Sequence, residues 1–284
     1  MGLALLLAAQ PGCSLLFPRR AGFDFAAMAT KLEASPGDER SQQRLALSQS
    51  ALAQARQAGD SWGETIAMHN LGTAEKGLGQ QQDALRHLEA AGQRFAAAKQ
   101  HGLLAENLRV TAGSYALAGD SRRALDTYDR ALKVARLAPL EPQALAWLEA
   151  GVWEGMASVY ARQKDWSQAV RHGEQARQRF EEAQDAQREI KMVLRLGFYL
   201  AAQGDMEAAV ARHTYAHQRS VELNDARLGV VALSAIAITY FGLGQAEQGL
   251  AALEQGIATA QRAGDAESSR ELSEYAAQMR AEMN

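Results

Sequence analysis

Turn signals recur along the chain at Gly79-Gln80, Gly119-Asp120, Lys164-Asp165, Gly204-Asp205 and Gly244-Gln245, with successive spacings of 40, 45, 40 and 40 residues. Other positions keep step with them. Five residues after each mark stand Ala84, Ala124, Ala169, Ala209 and Gly249, and twelve after stand Ala91, Ala131, Ala176, Ala216 and Gly256. Seven before stand Gly72, Ala112, Ala157, Gly197 and Ala237; four before stand Glu75, Tyr115, Tyr160, Leu200 and Tyr240. Self-similarity with a period of 20–50 residues marks a stacked array, because each unit buries its apolar face only against its neighbours.

Composition says which unit is repeated. The 284 residues include 58 alanines against 15 valines plus isoleucines, a bias toward helix and away from sheet. The five prolines stand at 11, 18, 36, 139 and 142, so 37–138 and everything after 142 can be unbroken helix. Small residues at fixed offsets let two antiparallel helices approach, and the large residue one turn later fills the space beside them. The turn between them needs a left-handed residue, hence glycine in four marks of five. A second turn closes each unit about 20 residues later, at His101-Gly102, Asn224-Asp225 and Gly264-Asp265. The unit is a helix hairpin, and the fold class is all-α.

Asn70-Leu71-Gly72, Gly79, Ala84, Leu88 and Ala91 together resemble the tetratricopeptide repeat, in a 40-residue variant with extended helices. The resemblance implies a right-handed α-solenoid of antiparallel hairpins. Residues 21–60 read as a degenerate first pair, with helices over Phe23–Leu32 and Ser41–Arg56. Five repeats follow, over 61–102, 103–140, 141–185, 186–225 and 226–265. Residues 266–284 read as a capping helix with a polar outer face. Glu75 and His213 stand where the pattern prefers large apolar residues, and Lys164 stands in place of a turn glycine. Pro139-Leu140-Glu141-Pro142 accounts for the five extra residues of the third unit. It predicts a longer turn followed by an extended helix carrying Trp147 and Trp153.

Residues 1–17 read MGLALLLAAQPGCSLLF. The apolar run Leu3–Ala9 is too short to span a bilayer and has the length of a signal-peptide core. Cys13 after Gly12 resembles the processing site of bacterial lipoproteins, in which that cysteine is lipidated. Residues 1–20 are thus either a signal of this kind or an apolar arm on the first repeat, and both a cell-envelope and a cytoplasmic location stay open. With a single cysteine, neither an intrachain disulfide nor a cysteine metal cage can form.

Motifs for chemistry are few. His213 and His217 are four apart on a helix but lack the glutamate of a metalloprotease helix, so packing or surface roles are expected. Gly77-Leu78-Gly79 and Gly242-Leu243-Gly244 fall between helices rather than after a strand, so they are turns and not nucleotide loops. The sequence contains no Gly-Lys-Ser/Thr phosphate loop. A net charge of −3, with 30 basic and 33 acidic residues, excludes a general nucleic-acid binder. The reading is a non-catalytic scaffold without cofactor or metal.

The resemblance places a partner on a groove lined by the first helix of each repeat. Offsets read from the small packing residue put His69, Lys76, Arg109 and Glu154 in its N-terminal half. Lys191, Leu194, Phe198, Ile238 and Phe241 fall in the C-terminal half. The first half is charged, without the basic set that some members use to grip a terminal carboxylate. The second half is apolar. Its four large residues either anchor a partner or pack against neighbouring repeats. A rival reading of the same array is a cytoplasmic sensor that changes shape on binding a peptide.

Overall fold

A left-handed backbone recurs every 20 residues: at Gly59, Gly79, Lys99 and Gly119, then at Lys164, Gln184, Gly204, Asn224, Gly244 and Gly264. The computed structural model describes residues 39–283, so Cys13 and the helix expected over Phe23–Leu32 lie outside the described residues. Each left-handed residue turns the chain back, and the residue after it caps the next helix. Where that residue is aspartate its carboxylate accepts a backbone N–H of the first turn, as Asp120 does from Arg123 at 2.9 Å, Asp205 from Ala208 at 3.1 Å and Asp225 from Leu228 at 3.0 Å. The turn expected at His101-Gly102 lies two residues earlier. Lys99 takes the left-handed conformation, and Gly102 is already helical.

All regular structure among the described residues is α-helix. The helices fall into two compact units. The first comprises residues 39–160 and Gln178–Asp185. It contains α1 (Glu39–Ala58), α2 (Ser61–Gly77), α3 (Gln81–Ala97), α4 (His101–Leu117), α5 (Ser121–Ala135) and most of α6 (Pro142–Arg162). Successive helices from α1 to α5 pack side by side, and α2 also touches α4. On α5 the buried residues Ala124, Thr127, Tyr128, Ala131, Leu132 and Ala135 follow the three-and-four spacing of one helix face. The five extra residues fall in a longer α5–α6 connection, residues 136–141, and in α6 itself, which runs 21 residues against 17 for α2 and α4. Pro142 opens α6, where a missing N–H goes unused.

The small positions do what close approach requires. A Cβ on Gly72 of α2 would sit 2.6 Å from Leu88 Cγ on α3, and one on Gly155 of α6 would sit 2.2 Å from the Tyr128 ring. An ion pair also repeats. Eight residues before the small position, Glu64 meets Arg94 at 2.9 Å, and Glu149 meets Arg179 at 3.1 Å, partners 30 residues apart in both cases. In the intervening repeat the same two positions are Leu104 and Val134, which pack on the apolar cluster around Tyr128.

The second unit comprises Ala161–Arg177 and residues 186–283. It contains most of α7 (Trp166–Glu182), then α8 (Ala186–Gln203), α9 (Met206–Glu222), α10 (Ala226–Gly242), α11 (Ala246–Arg262) and α12 (Ala266–Met283). From α8 onward each helix packs on the next, and α8 also touches α10. Nearly all of α10 from Leu228 to Phe241 is buried, as a helix apolar on every side must be. Here Glu189 and Arg219, again 30 apart, approach to 3.9 Å, and Glu189 also accepts from the Tyr215 hydroxyl at 3.0 Å. No described helix is long and apolar enough to cross a membrane.

Candidate functional site

In the first unit the predicted groove residues come together. His69 is held on α2, Glu106, Asn107 and Arg109 on α4, and Trp147 and Glu154 on α6. The Asn107 side-chain amide donates to His69 Nδ1 at 3.1 Å, which puts the ring proton on Nε2. Burial pushes the His69 pKa down, the nearby Glu106 charge opposes this, and the ring is neutral. Arg109 grips Glu106 with two hydrogen bonds, Nε to Oε2 at 2.7 Å and Nη2 to Oε1 at 2.5 Å. Its guanidinium lies 5.9 Å from the Trp147 ring centroid, and the Glu154 charge also acts on it.

Two glycines make room for these long side chains. Lys76 reaches from α2 across Gly113 of α4, where a Cβ would stand 2.8 Å from Nζ. Arg109 reaches from α4 across Gly151 of α6, where a Cβ would stand 2.9 Å from Cδ. A basic residue of one repeat thus lies over a glycine of the next, twice in succession. His69, Lys76, Arg109 and Glu154 remain partly exposed.

The second unit differs from the exposed apolar groove that offsets alone suggest. Lys191 of α8 is half-buried, but Leu194, Phe198, Ile238 and Phe241 are only 0, 5, 3 and 7 % exposed. They belong to the interior. The Phe198 ring centroid lies 4.8 Å from that of His213, and Phe241 stacks edge-on against Tyr275 of α12 at 5.7 Å. Gly249 of α11 also lets Phe241 in, since a Cβ there would meet the ring at 2.6 Å. The physical reason is that α8 and α10 carry apolar residues around most of their circumference, so the outward offsets are covered as well.

His213 is a core residue, as its packing offset predicts. Nε2 donates to the Leu194 carbonyl at 3.2 Å, and Nδ1 faces Thr239 Oγ1 at 3.1 Å. Burial drives its pKa down to about 4 against the opposing pull of the Leu194 and Ala235 carbonyls, so it is neutral. His217 points elsewhere, into a cleft of the second unit. No cluster of three or more metal-ligating side chains occurs among the described residues.

No family model matches the chain, and no curated protein matches it in sequence. Solved structures do match. Aspartyl phosphate phosphatase F from Bacillus subtilis superposes with a TM-score of 0.61 at 18 % identity, over 74 % of this chain and 55 % of that one. The chain therefore spans little more than half the length of that relative. The TPR-like repeats of a kinesin light chain from Podosopora anserina give 0.58 at 18 % identity, over 69 % of this chain and 95 % of theirs. A Rap protein complexed with Competence and Sporulation Factor gives 0.55 at 13 % identity, over 93 % and 77 %. The chain has a tetratricopeptide-type helical repeat fold.

Proposed function

We propose that the chain is a non-catalytic adaptor that binds a protein or peptide segment along the face made by α2, α4 and α6. One observation carries the reading. Polar side chains of two successive first helices, His69 of α2 with Asn107 of α4 and Arg109 with Glu106 on α4, bond to one another, and His69, Glu106 and Arg109 keep partial exposure while Arg109 reaches over Gly151 to Trp147 of α6. The Rap protein solved with Competence and Sporulation Factor supports a ligand-binding role for this architecture. The chemistry favours an extended segment of mixed charge, with an acceptor for Lys76, a cation for Glu154 and a planar or apolar side chain for Trp147. Tethering of this adaptor through a lipidated Cys13 belongs to the same reading, and the intact mass of protein made in a host with a lipoprotein pathway decides that part.

Site-specific photocrosslinking tests the groove. A photoreactive residue at Thr73 or Ala116, at groove offsets, is expected to capture the physiological partner, whereas one at Arg86 on the outer helix α3 is not. Exchanging the charges with Lys76→Glu and Glu154→Lys is expected to weaken capture at least tenfold. Equal capture from Arg86, or capture indifferent to the exchange, overturns the assignment.

A further inference from the structure

A cleft of about 750 Å³ opens between α9, α10 and α11. Five of the residues around it are His217, Ser220, Gly229, Gln255 and Thr259. Forty residues earlier, one period back, the matching positions are Arg177, Phe180, Glu189, Tyr215 and Arg219. Every one of the five is smaller in the last repeat. One period back, Glu189 is buried with the Tyr215 hydroxyl and Arg219, and Phe180 is fully buried. The cleft is therefore the space left where the Glu–Arg pair and two aromatic rings have been trimmed away together. Glycine at 229 matters most, because a Cβ there would meet only Ser220 Oγ, at 3.2 Å.

What surrounds the space indicates what replaces the missing groups. Arg262 stands at the rim with Nε donating to the Ala258 carbonyl and Nη2 to Thr259 Oγ1, and it pairs with no carboxylate among the described residues. Leu233 and Ala258 supply apolar surface. Asp225, the acidic member of the lining, already has both oxygens engaged, accepting from the Leu228 N–H and the Gln187 amide. The trimmed groups were a carboxylate, two guanidinium groups and two rings, and the cation at the rim, Arg262, lacks the carboxylate that Arg219 has one period back. The volume falls within the roughly 300–1,000 Å³ of small-molecule sites.

We propose that this cleft binds a small aromatic carboxylic acid, its carboxylate on the Arg262 guanidinium and its ring over Leu233. The site lies in the second unit and stands independently of the groove on α2, α4 and α6. Indole-3-acetate, with neutral indole-3-ethanol as its control, is the probe, titrated into the full chain by calorimetry and amide-resolved NMR. Saturable binding with shifts at Gly229 and Thr259, and at least a tenfold preference for the acid, is expected. Arg262→Gln, an exposed change, is expected to remove the preference for the acid. Gly229→Glu with Thr259→Arg, which restores the pair found one period back, is expected to abolish binding of both compounds with the thermal midpoint held. Absence of saturable binding at millimolar probe overturns the proposal, as does acid preference unchanged in Arg262→Gln or binding unchanged in the refilled variant.

Discussion

His213 and Thr239 meet across the α9–α10 interface with Nδ1 3.1 Å from Oγ1. The Leu194 carbonyl holds the ring proton on Nε2, so Nδ1 is the acceptor. The single Thr239 hydroxyl proton is then shared between the ring and the Ala235 carbonyl, 2.8 Å away. Burial away from water, not hydrogen bonding, keeps this imidazole neutral, and this fixes how the second unit responds to acid.

Acid is expected to destabilise the protein through His213. Its pKa is lowered from 6.5 to about 4 in the folded state, so the unfolded chain takes up the proton first as pH falls. The stabilisation is complete above pH 6.5 and is lost between 6.5 and about 4, roughly 3 kcal/mol in all at 1.36 kcal/mol per unit. Denaturant midpoints of wild type and His213→Leu measured from pH 7 to 4 should converge by about that amount. A constant gap across the range overturns the assignment.

Two glycine-to-alanine changes on equivalent helices should have opposite effects. Alanine at 197 would place its Cβ 2.2 Å from His213 Nε2, and Gly197→Ala is expected to cost at least 2 kcal/mol despite a better helix propensity. Gly229→Ala meets only a rotatable serine hydroxyl and should gain up to about 1 kcal/mol. Thermal melts of the two variants check both signs.

Lys164 holds φ at 60°, a left-handed backbone that an L side chain adopts at a cost of about 1 kcal/mol. Lys164→Gly should therefore raise stability by roughly 0.5–1 kcal/mol. The same change at Lys133, inside α5, should lower it by about as much. Urea titration of the pair separates a backbone effect from loss of the lysine charge.

Arg179→Ala is expected to be more harmful than Glu149→Gln. Glu149 is buried and receives Arg179 at 3.1 Å and Arg136 at 3.4 Å, while both arginines keep solvent access. Removing Arg179 strands a buried charge on the longer contact, at about 1–2 kcal/mol once screening is allowed for. The glutamine substitution removes that charge, leaving arginines that water can solvate. Equal losses in both variants contradict this ordering.

The hairpin pattern was legible because its causes are local: a small residue facing a neighbour, a left-handed turn, a helix-compatible run. Even the departures carry a message that single positions hide. Glu75, in place of a large apolar residue, is buried with His87 Nδ1 2.7 Å away, and His213 in the same kind of position has Thr239. Each polar substitution arrives with a partner from the following helix, which a position-by-position comparison misses. The Glu–Arg pairs escaped for the same reason, since they span 30 residues and lapse at Leu104–Val134 and Gly229–Thr259. The choice between anchoring and packing in the apolar second half of the groove stayed open in the sequence, because offset arithmetic assigns faces but not coverage. Leu194 and Phe241 point outward by count and inward by burial.

The glycines of the left-handed turns face open space, with nothing within 4 Å of the Cβ each one lacks. A residue inserted in a helix would rotate everything beyond it by about 100° and pull the small positions off their partners. A residue inserted at a turn disturbs no packed face. Growth of this chain is thus confined to its corners, and the surplus residues around Pro139 follow the rule, lengthening one connection and the exposed start of α6 ahead of its packed positions. Tags, fluorophores or further hairpins introduced at Gly59, Gly119 or Gly204 should be accepted for the same reason.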